Sequence, residues 1–269
     1  MNDQAKHWNG PGARAWVELQ PVLDELFRPF EEMLVKSVVD RAPKSVLDIG
    51  CGTGSTTIAI ARHAQCLGLD LSEPMTAVAR ERAAKEGSRA TFIAADAQVH
   101  AFEPASFDLI VSRFGVMFFS DPIAAFTNLR RAATDDAGLA LIAWRSPAEN
   151  PFMTSAERAA APLIPEMPPR KADGPGQFAF ADKARVEGVF EASGWTGVSL
   201  EPIDIVCSFP ESALIGYLTR LGPLGLLLQD MEEARRAEVV KTVRSAFDPY
   251  VVNDEVSFNA ACWMIRRGG

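Results

Sequence analysis

The feature that most constrains the fold of this 269-residue chain is an alternation of short apolar runs with amphipathic stretches. The apolar runs, which we predict to be strands, are 45–49, 66–69, 91–94, 107–112 and 139–144. Helical spacing marks the stretches between them, at 54–63, 74–86 and 121–133. Near-continuous apolar strands separated by helices are typical of a parallel sheet with helices on both faces.

Two other regions flank this alternation. Residues 12–41 have helical spacing with one apolar stripe, and Pro21 and Pro29 predict a kink or a restart of the helix. After residue 145 the alternation stops, and strand-like runs return only at 197–206 and 256–265. We interpret the Pro- and Gly-rich segment 146–181 and the largely helical segment 209–254 as insertions that cover one end of the sheet.

Composition and charge restrict the class of partner. The net charge is −8 and the isoelectric point is about 5.0, so the chain is repelled by phosphate backbones and nucleic acid is not expected as a partner. No run of apolar residues reaches the roughly 18 that a membrane span requires. The polar start of the chain lacks the apolar region of a signal peptide. We therefore expect a cytoplasmic protein without a membrane partner.

The cysteines do not form a metal-binding pattern. Cys51, Cys66, Cys207 and Cys262 include no C-x-x-C pair, and none has a nearby histidine at zinc spacing. We predict reduced, buried thiols and no metal site.

The sequence VLDIGCGTG, residues 46–54, places three glycines at alternate positions directly after the first predicted strand. A phosphate loop of the Walker type would need a lysine after Gly54, and none is present. A dinucleotide fingerprint, G-x-G-x-x-G/A, would need a small third residue where Ser55 stands, which disfavours an NAD-linked oxidoreductase. Gly50 and Gly52 are expected to let the backbone turn tightly and approach a ligand without an intervening Cβ atom.

Three carboxylates accompany this loop. Asp48 lies in the first predicted strand, Asp70 ends the second, and Asp96 follows the third. The carboxyl ends of adjacent parallel strands are where open α/β sheets bind ligands. Asp70 also lies near the spacing at which an acidic residue accepts the hydroxyl groups of a ribose. The pattern therefore predicts a nucleoside-containing ligand.

Four motifs in order, VLDIGCGTG, GLDLSEPM, FIAADA and FDLIVSRFGVMFF, resemble those of class I S-adenosylmethionine-dependent methyltransferases. The resemblance covers about 46–145 and is closest to the small-molecule branch similar to the ubiquinone and menaquinone methyltransferases. The segments HWNGPGARAW and DGPGQFAFAD resemble an uncharacterised bacterial subgroup, which does not indicate a substrate.

The resemblance implies an α/β, Rossmann-like, doubly wound fold. Its sheet is seven-stranded and mostly parallel, with an antiparallel edge hairpin and helical lid insertions. We expect a single domain over 1–269, composed of an N-terminal helical lid at 1–42, a cofactor-binding core at 43–145, and cap insertions at 146–181 and 209–254.

The resemblance also implies which residues bind S-adenosyl-L-methionine. Around its methionine and ribose parts lie Asp48, Gly50, Cys51, Gly52 and Gly54. The residues implied at the ribose and adenine are Asp70, Leu71, Met75, Asp96 and Ala97. Asp70 would pair with the ribose hydroxyls and Asp96 with the adenine amino group. The backbone N–H of Ala97 would face the adenine ring. The methionine end is lined by Ser112, Arg113 and Phe114. The family's N-terminal segment often covers the cofactor, so Trp8 and Trp16 are expected in a lid, although Trp16 also fits the apolar stripe.

The expected reaction is in-line transfer of the methyl group to a small-molecule acceptor in a largely apolar pocket, leaving S-adenosyl-L-homocysteine. Residues 116–119 and 221–228 are candidate walls. A methyltransferase acting on protein or nucleic acid is an alternative. Amino-methylating nucleic-acid enzymes, however, carry an N/D-P-P-Y/F segment after the fourth strand, where this chain has SRFG. A non-catalytic protein that binds S-adenosylmethionine is a further alternative.

The catalytic base, where one is needed, is not identified by the sequence. His7 in the expected lid, Glu149 after the fifth strand and Tyr217 in the second insertion are weak candidates. The acceptor, the atom methylated and the choice between monomer and homodimer stay open.

Overall fold

The computed structural model describes residues 3–168, 170 and 174–268. Residues 1 and 2 of the expected lid, and Pro169 and 171–173 of the expected insertion at 146–181, lie outside the described residues. Within the described part, eight strands form one sheet. They are β1 (Ser45–Ile49), β2 (Gln65–Asp70), β3 (Thr91–Ala94), β4 (Phe107–Arg113), β5 (Ala133–Trp144), β6 (Val198–Pro210), β7 (Val251–Val252) and β8 (Glu255–Arg267).

The strand order is β3-β2-β1-β4-β5-β8-β6, and β7 pairs with β8 beside this path. Strands β1 to β5 are paired in parallel, whereas β8 runs antiparallel to both β5 and β6. The predicted mostly parallel, doubly wound sheet with an antiparallel edge is therefore confirmed. The two-residue strand β7 is an addition that the sequence analysis did not predict.

Helices cover this sheet and form the N-terminal region and the insertions. They are α1 (Asp3–Trp8), α2 (Pro11–Glu18), α3 (Gln20–Leu26), α4 (Arg28–Arg41), α5 (Ser55–Ile60), α6 (Glu73–Glu86), α7 (Pro122–Ala132), α8 (Pro151–Ala160), α9 (Lys183–Ala192), α10 (Leu214–Arg220), α11 (Gly222–Gln229) and α12 (Glu233–Ser245). Short 3-10 turns lie at Val116–Phe118, Glu211–Ala213 and Asp248–Tyr250.

Proline divides the helical region predicted at 12–41. Pro11, Pro21 and Pro29 each lie in the first turn of a separate helix, α2, α3 and α4. A proline is tolerated in a first turn because the N–H that it lacks has no partner inside the helix there. The restart predicted at Pro21 and Pro29 is thus confirmed, and the chain turns at each of these positions.

The core lies at the centre of the sheet, where β1, β4 and β5 are covered on both faces. Leu47, Ile110 and Leu141 are fully buried in these strands, as near-continuous apolar runs predict. Helix α4 packs against β4 and β5, and α6 packs against β2 and β3. The four cysteines are buried and their thiols are free, as predicted. In the described part of the chain, no helix is both long and apolar enough to cross a bilayer.

Strands β6 and β8 continue well past the rest of the sheet. The pairing of β5 with β8 ends at Trp144 and Cys262, but β6 and β8 stay paired as far as Pro210 and Glu255. At ~3.4 Å per residue, this two-stranded arm extends about 20 Å beyond the carboxyl end of β5. Helix α3 contacts β6.

The helices of the two expected insertions pack together beside this arm. Helix α8 contacts α11 and α12, and α10 contacts both α11 and α12. Phe152 of α8 stacks on Phe258 of the arm, with ring centroids 3.8 Å apart. The insertions therefore share an aromatic core with the arm, and their role as a cap stays a prediction.

Candidate functional site

The glycine loop joins β1 to α5 with an unusual backbone. Gly50, Gly52 and Gly54 have φ angles of +68°, +54° and +86°. Side chains disfavour these left-handed conformations, whereas glycine adopts them freely. The alternate glycines therefore satisfy a backbone that takes the left-handed conformation at three of five consecutive positions.

The three glycines differ in what surrounds them. A Cβ atom on Gly50 would lie 2.5 Å from the Cα atom of Gly115, and one on Gly54 would lie 2.7 Å from the Cβ atom of Ala79. A Cβ atom on Gly52 would meet no described atom within 4 Å. A side chain at Gly50 would therefore be excluded by Gly115, whereas the Cβ position of Gly52 is open. The expectation that both glycines let the loop approach a ligand stays a prediction.

Asp70 connects the end of β2 to this loop. Its Oδ2 atom accepts a hydrogen bond from the N–H of Gly52 at 2.8 Å, and its Oδ1 atom accepts one from the N–H of Ser72 at 2.8 Å. Burial raises the pKa of Asp70 above its ordinary value. An ionised carboxylate offers about four acceptor positions, so these two bonds leave capacity for further donors such as hydroxyl groups.

Asp48 is buried in β1, with 1% of its surface exposed. Its Oδ2 atom accepts a hydrogen bond from the hydroxyl group of Thr57 in α5 at 2.6 Å. Burial raises the pKa of Asp48 to about 6, against the opposing effects of the Thr57 hydrogen bond and the positive charge of Arg113. Asp48 thus braces the helix that follows the glycine loop and changes charge near neutral pH.

Asp96 belongs to a hydrogen-bonded chain that the sequence analysis missed. Its carboxylate accepts bonds from the side-chain amide of Gln98, at 2.9 and 3.1 Å. The Oε1 atom of Gln98 accepts from the hydroxyl of Ser120 and the N–H of Asp121. Gln98 therefore fixes Asp96 relative to the start of α7. No motif or spacing marks this glutamine.

The remaining residues expected at the nucleoside lie around these carboxylates. Leu71 follows Asp70, Met75 is buried in the first turns of α6, and Ala97 follows Asp96. The carbonyl of Ala97 accepts a hydrogen bond from the side chain of Asn128 at 2.9 Å. The side-chain amide of Asn128 also donates to the carbonyl of His100, which holds the turn after β3 in place.

A pocket lies between the glycine loop and the N-terminal helices. Its lining brings together several residues expected at the methionine end with residues of α2, α3 and α5. The lining residues are Trp16, Leu23, Asp24, Asp48, Gly50, Cys51, Gly52, Thr53, Thr56 and Arg113. The thiol of Cys51 is neutral in this surrounding, because burial raises its pKa well above the ordinary value. Helices α2 and α3 therefore lie over the loop, and their role as a lid stays a prediction.

Helix α1 is fastened over the segment that follows β2. The side-chain amide of Asn9 donates to the carbonyl of Leu71 at 3.1 Å, and its Oδ1 atom accepts from the N–H of Glu73 at 3.1 Å. The ring of Trp8 meets Phe118 edge-on with centroids 5.0 Å apart. It also meets Trp16 at 6.1 Å. Helix α1 thus covers the region where the resemblance places the adenine. The sequence analysis did not identify Asn9.

Two ion pairs attach the N-terminal helices to the elements around the loop. Asp24 of α3 pairs with Arg82 of α6 at 2.7 Å, and Arg82 also donates to the carbonyl of Thr53 at 2.8 Å. Glu31 of α4 accepts a hydrogen bond from Ser55 and lies 3.8 Å from the Nη1 atom of Arg113. The N-terminal helices are therefore attached to the loop by charge as well as by apolar packing.

Ser112 and Phe114 shape the end of β4. The Ser112 hydroxyl donates to the carbonyl of Ile49 at 2.7 Å and accepts from the N–H of Gly115 at 3.1 Å. Phe114 has a φ angle of +65° and stacks on Trp144, with centroids 4.7 Å apart. A bulky residue with such a backbone is strained, and the surrounding rings hold it there. Both side chains therefore build the framework of the site.

The three candidate bases are engaged elsewhere. The ring of His7 lies against Gly12, and burial lowers its pKa, which favours the neutral form. The Tyr217 hydroxyl contacts the sulfur of Met153 at 3.6 Å, and burial raises its pKa. Glu149 pairs with Arg145 at 2.8 Å, and a hydrogen bond from Ser146 lowers its pKa. None of the three belongs to the described lining of the pocket, and a catalytic role for them stays a prediction.

Comparison with known proteins identifies the central part of the chain. A family model described as a methyltransferase domain matches residues 46–136. A demethylmenaquinone methyltransferase of Thermus thermophilus is 31% identical over 121 residues, which are 44% of this chain and 55% of that protein. A nocamycin O-methyltransferase of Saccharothrix syringae is 26% identical over 229 residues, covering 80% of this chain and 81% of that protein.

Among solved structures, magnesium protoporphyrin IX methyltransferase of Synechocystis PCC 6803, with bound S-adenosylhomocysteine, has a TM-score of 0.58. It is 15% identical and the match covers 98% of both chains, which shows a shared fold. This chain spans only about half the length of the demethylmenaquinone methyltransferase. Residues 46–136 form a methyltransferase domain of the class I S-adenosylmethionine-dependent family, related to the quinone methyltransferases.

Proposed function

We propose that this protein binds S-adenosyl-L-methionine and transfers its methyl group to a small-molecule acceptor, leaving S-adenosyl-L-homocysteine. One observation carries the proposal: the N–H of Gly52 is held by Asp70, while no described atom occupies the space where a side chain of residue 52 would lie. A backbone fixed by a buried carboxylate and open on its other face suits close contact with a ligand. The cofactor fits this site because hydroxyl groups can share the carboxylate of Asp70.

The proposed contacts follow the order of the strands. The carboxylate of Asp70 accepts hydrogen bonds from the ribose hydroxyls, and the carboxylate of Asp96 accepts one from the amino group of the adenine. The backbone of Ala97 meets the adenine ring, which Leu71 and Met75 flank. Toward the methionine end, the proposed contact residues are Asp48, Gly50, Cys51, Gly52, Gly54, Ser112, Arg113 and Phe114, with Trp8 in the lid.

When bound, the cofactor supplies a methyl group on a sulfonium, which is already electrophilic. The chain has to hold the acceptor in line with that methyl group and to exclude water. Phe27, Phe114 and Trp144 form a buried aromatic cluster at the carboxyl ends of β4 and β5, which makes this end of the sheet apolar.

Three observations support a small acceptor over a macromolecule. Helices α2 and α3 lie over the loop and α1 lies over the segment after β2, which leaves a confined approach for the second substrate. The matched relatives are named for small acceptors, demethylmenaquinone and nocamycin. The net charge of −8 disfavours nucleic acid.

The test is transfer of a labelled methyl group. The purified protein is incubated with methyl-labelled S-adenosylmethionine and an extract of its source cells, and solvent-extractable label is separated from acid-precipitable label. We expect label in the extractable fraction, lost in Asp70→Ala and retained in Asp135→Asn, a change at an exposed carboxylate. Label in the precipitate would favour a protein or nucleic-acid substrate. Tight cofactor binding without transfer in either fraction would favour a non-catalytic binding protein.

A further inference from the structure

Gln98, in the turn after β3, has a hydrogen-bond partner for both polar atoms of its side chain. Its amide nitrogen donates to Oδ1 and Oδ2 of Asp96, at 2.9 and 3.1 Å. Its Oε1 atom accepts from the hydroxyl group of Ser120 at 3.0 Å and from the N–H of Asp121 at 2.7 Å. The side chain is half-buried, and these bonds hold it in one conformation because any rotation would break several of them.

The partners of Gln98 also fix which way its amide group points. The N–H of Asp121 can only donate, so it requires the oxygen of the amide on its side. The carboxylate of Asp96 is an acceptor, so it requires the nitrogen on the other side. Both ends of the side chain therefore demand the same orientation, and the amide N–H groups face Asp96.

The carboxylate of Asp96 is left with a defined capacity for one further bond. The side chain of Gln98 reaches both of its oxygens, and the backbone N–H of Gln98 also donates to Oδ1, at 2.9 Å. An ionised carboxylate accepts about four hydrogen bonds and donates none, so the open position lies on Oδ2. A ligand group at that position has to donate. An amino group on a base can do so, whereas an oxo group has only lone pairs and would be repelled.

We propose that Gln98 is a positioning residue that makes the nucleoside site select a base with an amino group over a base with an oxo group. The inference rests on the proposed function, in which Asp96 accepts a hydrogen bond from the adenine amino group. The motif FIAADA, which places Asp96 at the adenine, ends at Ala97 and gives residue 98 no role. Gln98 acts through Asp96, because it keeps both carboxylate oxygens as acceptors and ties them to the start of α7.

A purely structural role for Gln98 makes a different prediction. The residue also joins the turn after β3 to α7, since the side chain of Asp121 caps this helix by accepting from the N–H of Ala124. If Gln98 only joined these segments, its loss would weaken all nucleoside ligands by a similar factor. If it orients Asp96, its loss would weaken a ligand with an amino group more than one with an oxo group. The ratio of the two affinities separates these roles.

The test measures the binding of S-adenosylhomocysteine and of S-inosylhomocysteine, whose base carries an oxo group in place of the amino group, by titration calorimetry. For the wild type we expect a preference of about 100-fold for S-adenosylhomocysteine, since the oxo group cannot donate to Asp96. The two bases also differ at ring atom N1, but this difference is the same for every variant and cancels when their preferences are compared.

Two variants change the bonds of Gln98 in different ways. Gln98→Met keeps the length of the side chain and removes its hydrogen bonds, and it should lower the preference by about 5- to 10-fold. Gln98→Glu keeps an acceptor for Ser120 and Asp121 but places a second carboxyl group beside Asp96. It should lower the preference further, because adjacent carboxyl groups share a proton, and the shared O–H can donate to the oxo group.

Asn128→Leu provides the structural control. The side-chain amide of Asn128 holds the carbonyls of Ala97 and His100, on either side of Gln98, and has no described bond to Asp96. Its loss should weaken both ligands equally. An unchanged preference in either variant of Gln98, an equal fall in Asn128→Leu, or equal binding of the two ligands by the wild type would overturn the inference and leave methyl transfer standing. Failure of the wild type to bind S-adenosylhomocysteine at all would overturn the proposed function itself.

Discussion

Gly50 and Gly115 pack backbone against backbone at the point where β1 and β4 end. A Cβ atom on Gly50 would lie 2.5 Å from the Cα atom of Gly115, and one on Gly115 would lie 2.5 Å from the carbonyl oxygen of Ile49. The two loops that follow the central strands can approach this closely only because neither residue has a side chain. This contact sets the distance between the glycine loop and the end of β4, where Arg113 and Phe114 lie.

Gly115→Ala is expected to destabilise the fold. The added methyl group would overlap backbone atoms, which cannot rotate away, so β1 and β4 must separate; overpacking of this kind costs about 1–3 kcal/mol. Chemical denaturation measures the loss in the free energy of unfolding. Gly188→Ala is the control, because Gly188 lies in α9 with no described atom near its Cβ position, and it should be neutral or slightly stabilising. Equal stability of the two variants would contradict the contact.

Gly52→Val separates ligand binding from folding. A Cβ atom at residue 52 would meet no described atom within 4 Å outside its chain neighbours, so we expect valine there to block the ligand and leave the core undisturbed. The φ angle of +54° adds backbone strain of roughly 1 kcal/mol. Gly87→Val is a matched control, since Gly87 has a φ angle of +62° and equally open surroundings at the end of α6. Both should lose similar stability, and only Gly52→Val should lose S-adenosylhomocysteine binding; normal binding by that variant contradicts the close approach.

These glycines show which features of the site can be predicted from the sequence and which cannot. Their alternation, the apolar runs and the carboxylates at strand ends were visible in the sequence, since each is a local pattern with a physical cause. Gly115 carries no such signal, because its role depends on a second loop 65 positions away at Gly50. The bonds of Asn9 to Leu71 and of Arg82 to Asp24 join residues 62 and 58 positions apart, which periodicity does not register. Local pattern therefore predicted the sheet and the acids, whereas the attachment of the lid required the structure.

Asp70→Ala is expected to weaken the binding of S-adenosylhomocysteine by about 1–3 kcal/mol, the typical contribution of a charge-assisted hydrogen bond. The variant loses the proposed partner of the ribose and also the acceptor that holds the N–H of Gly52. Isothermal titration calorimetry measures the change. The binding of adenosine, which lacks the homocysteine part, should be weakened by a similar amount, because the ribose is common to both ligands. Unchanged affinity for S-adenosylhomocysteine would show that the ribose assignment is wrong.

The pKa of Asp48 makes stability depend on pH. Burial raises this pKa to about 6 from an ordinary value of 3.8. As the pH rises, the unfolded chain therefore releases this proton before the folded chain does. The protonated Asp48 stabilises the fold fully below pH 3.8, and this contribution is lost as the pH rises to about 6. The total is on the order of 3 kcal/mol, at about 1.4 kcal/mol for each unit of pKa.

Asp48→Asn tests this dependence, because asparagine can still accept the hydrogen bond of Thr57 and does not titrate. Urea denaturation of both proteins between pH 4 and 8 should show wild-type stability falling relative to the variant across pH 4–6, with a constant difference above it. The charged neighbours Arg113, Asp70 and Glu31 are present in both proteins, so the difference isolates Asp48. Parallel profiles would show that Asp48 is ionised throughout.

We expect the N-terminal helices to move when a ligand enters, because α2 and α3 line the pocket and Asn9 ties α1 to the segment after β2. Asn9→Ala removes these two hydrogen bonds together with the one that the side-chain amide donates to the carbonyl of Ala5 in α1. It is expected to raise amide hydrogen exchange in α1 and α2, while the sheet keeps its protection. Dissociation of S-adenosylhomocysteine should become faster, measured by stopped-flow quenching of Trp8 and Trp16. Asn9→Asp should give an intermediate effect, since its carboxylate can accept from Glu73 but cannot donate to Leu71. Unchanged exchange and dissociation in Asn9→Ala would show that the hydrogen bonds of Asn9 do not hold the N-terminal helices in place. The ion pairs of Asp24 and Glu31 would then be their attachment.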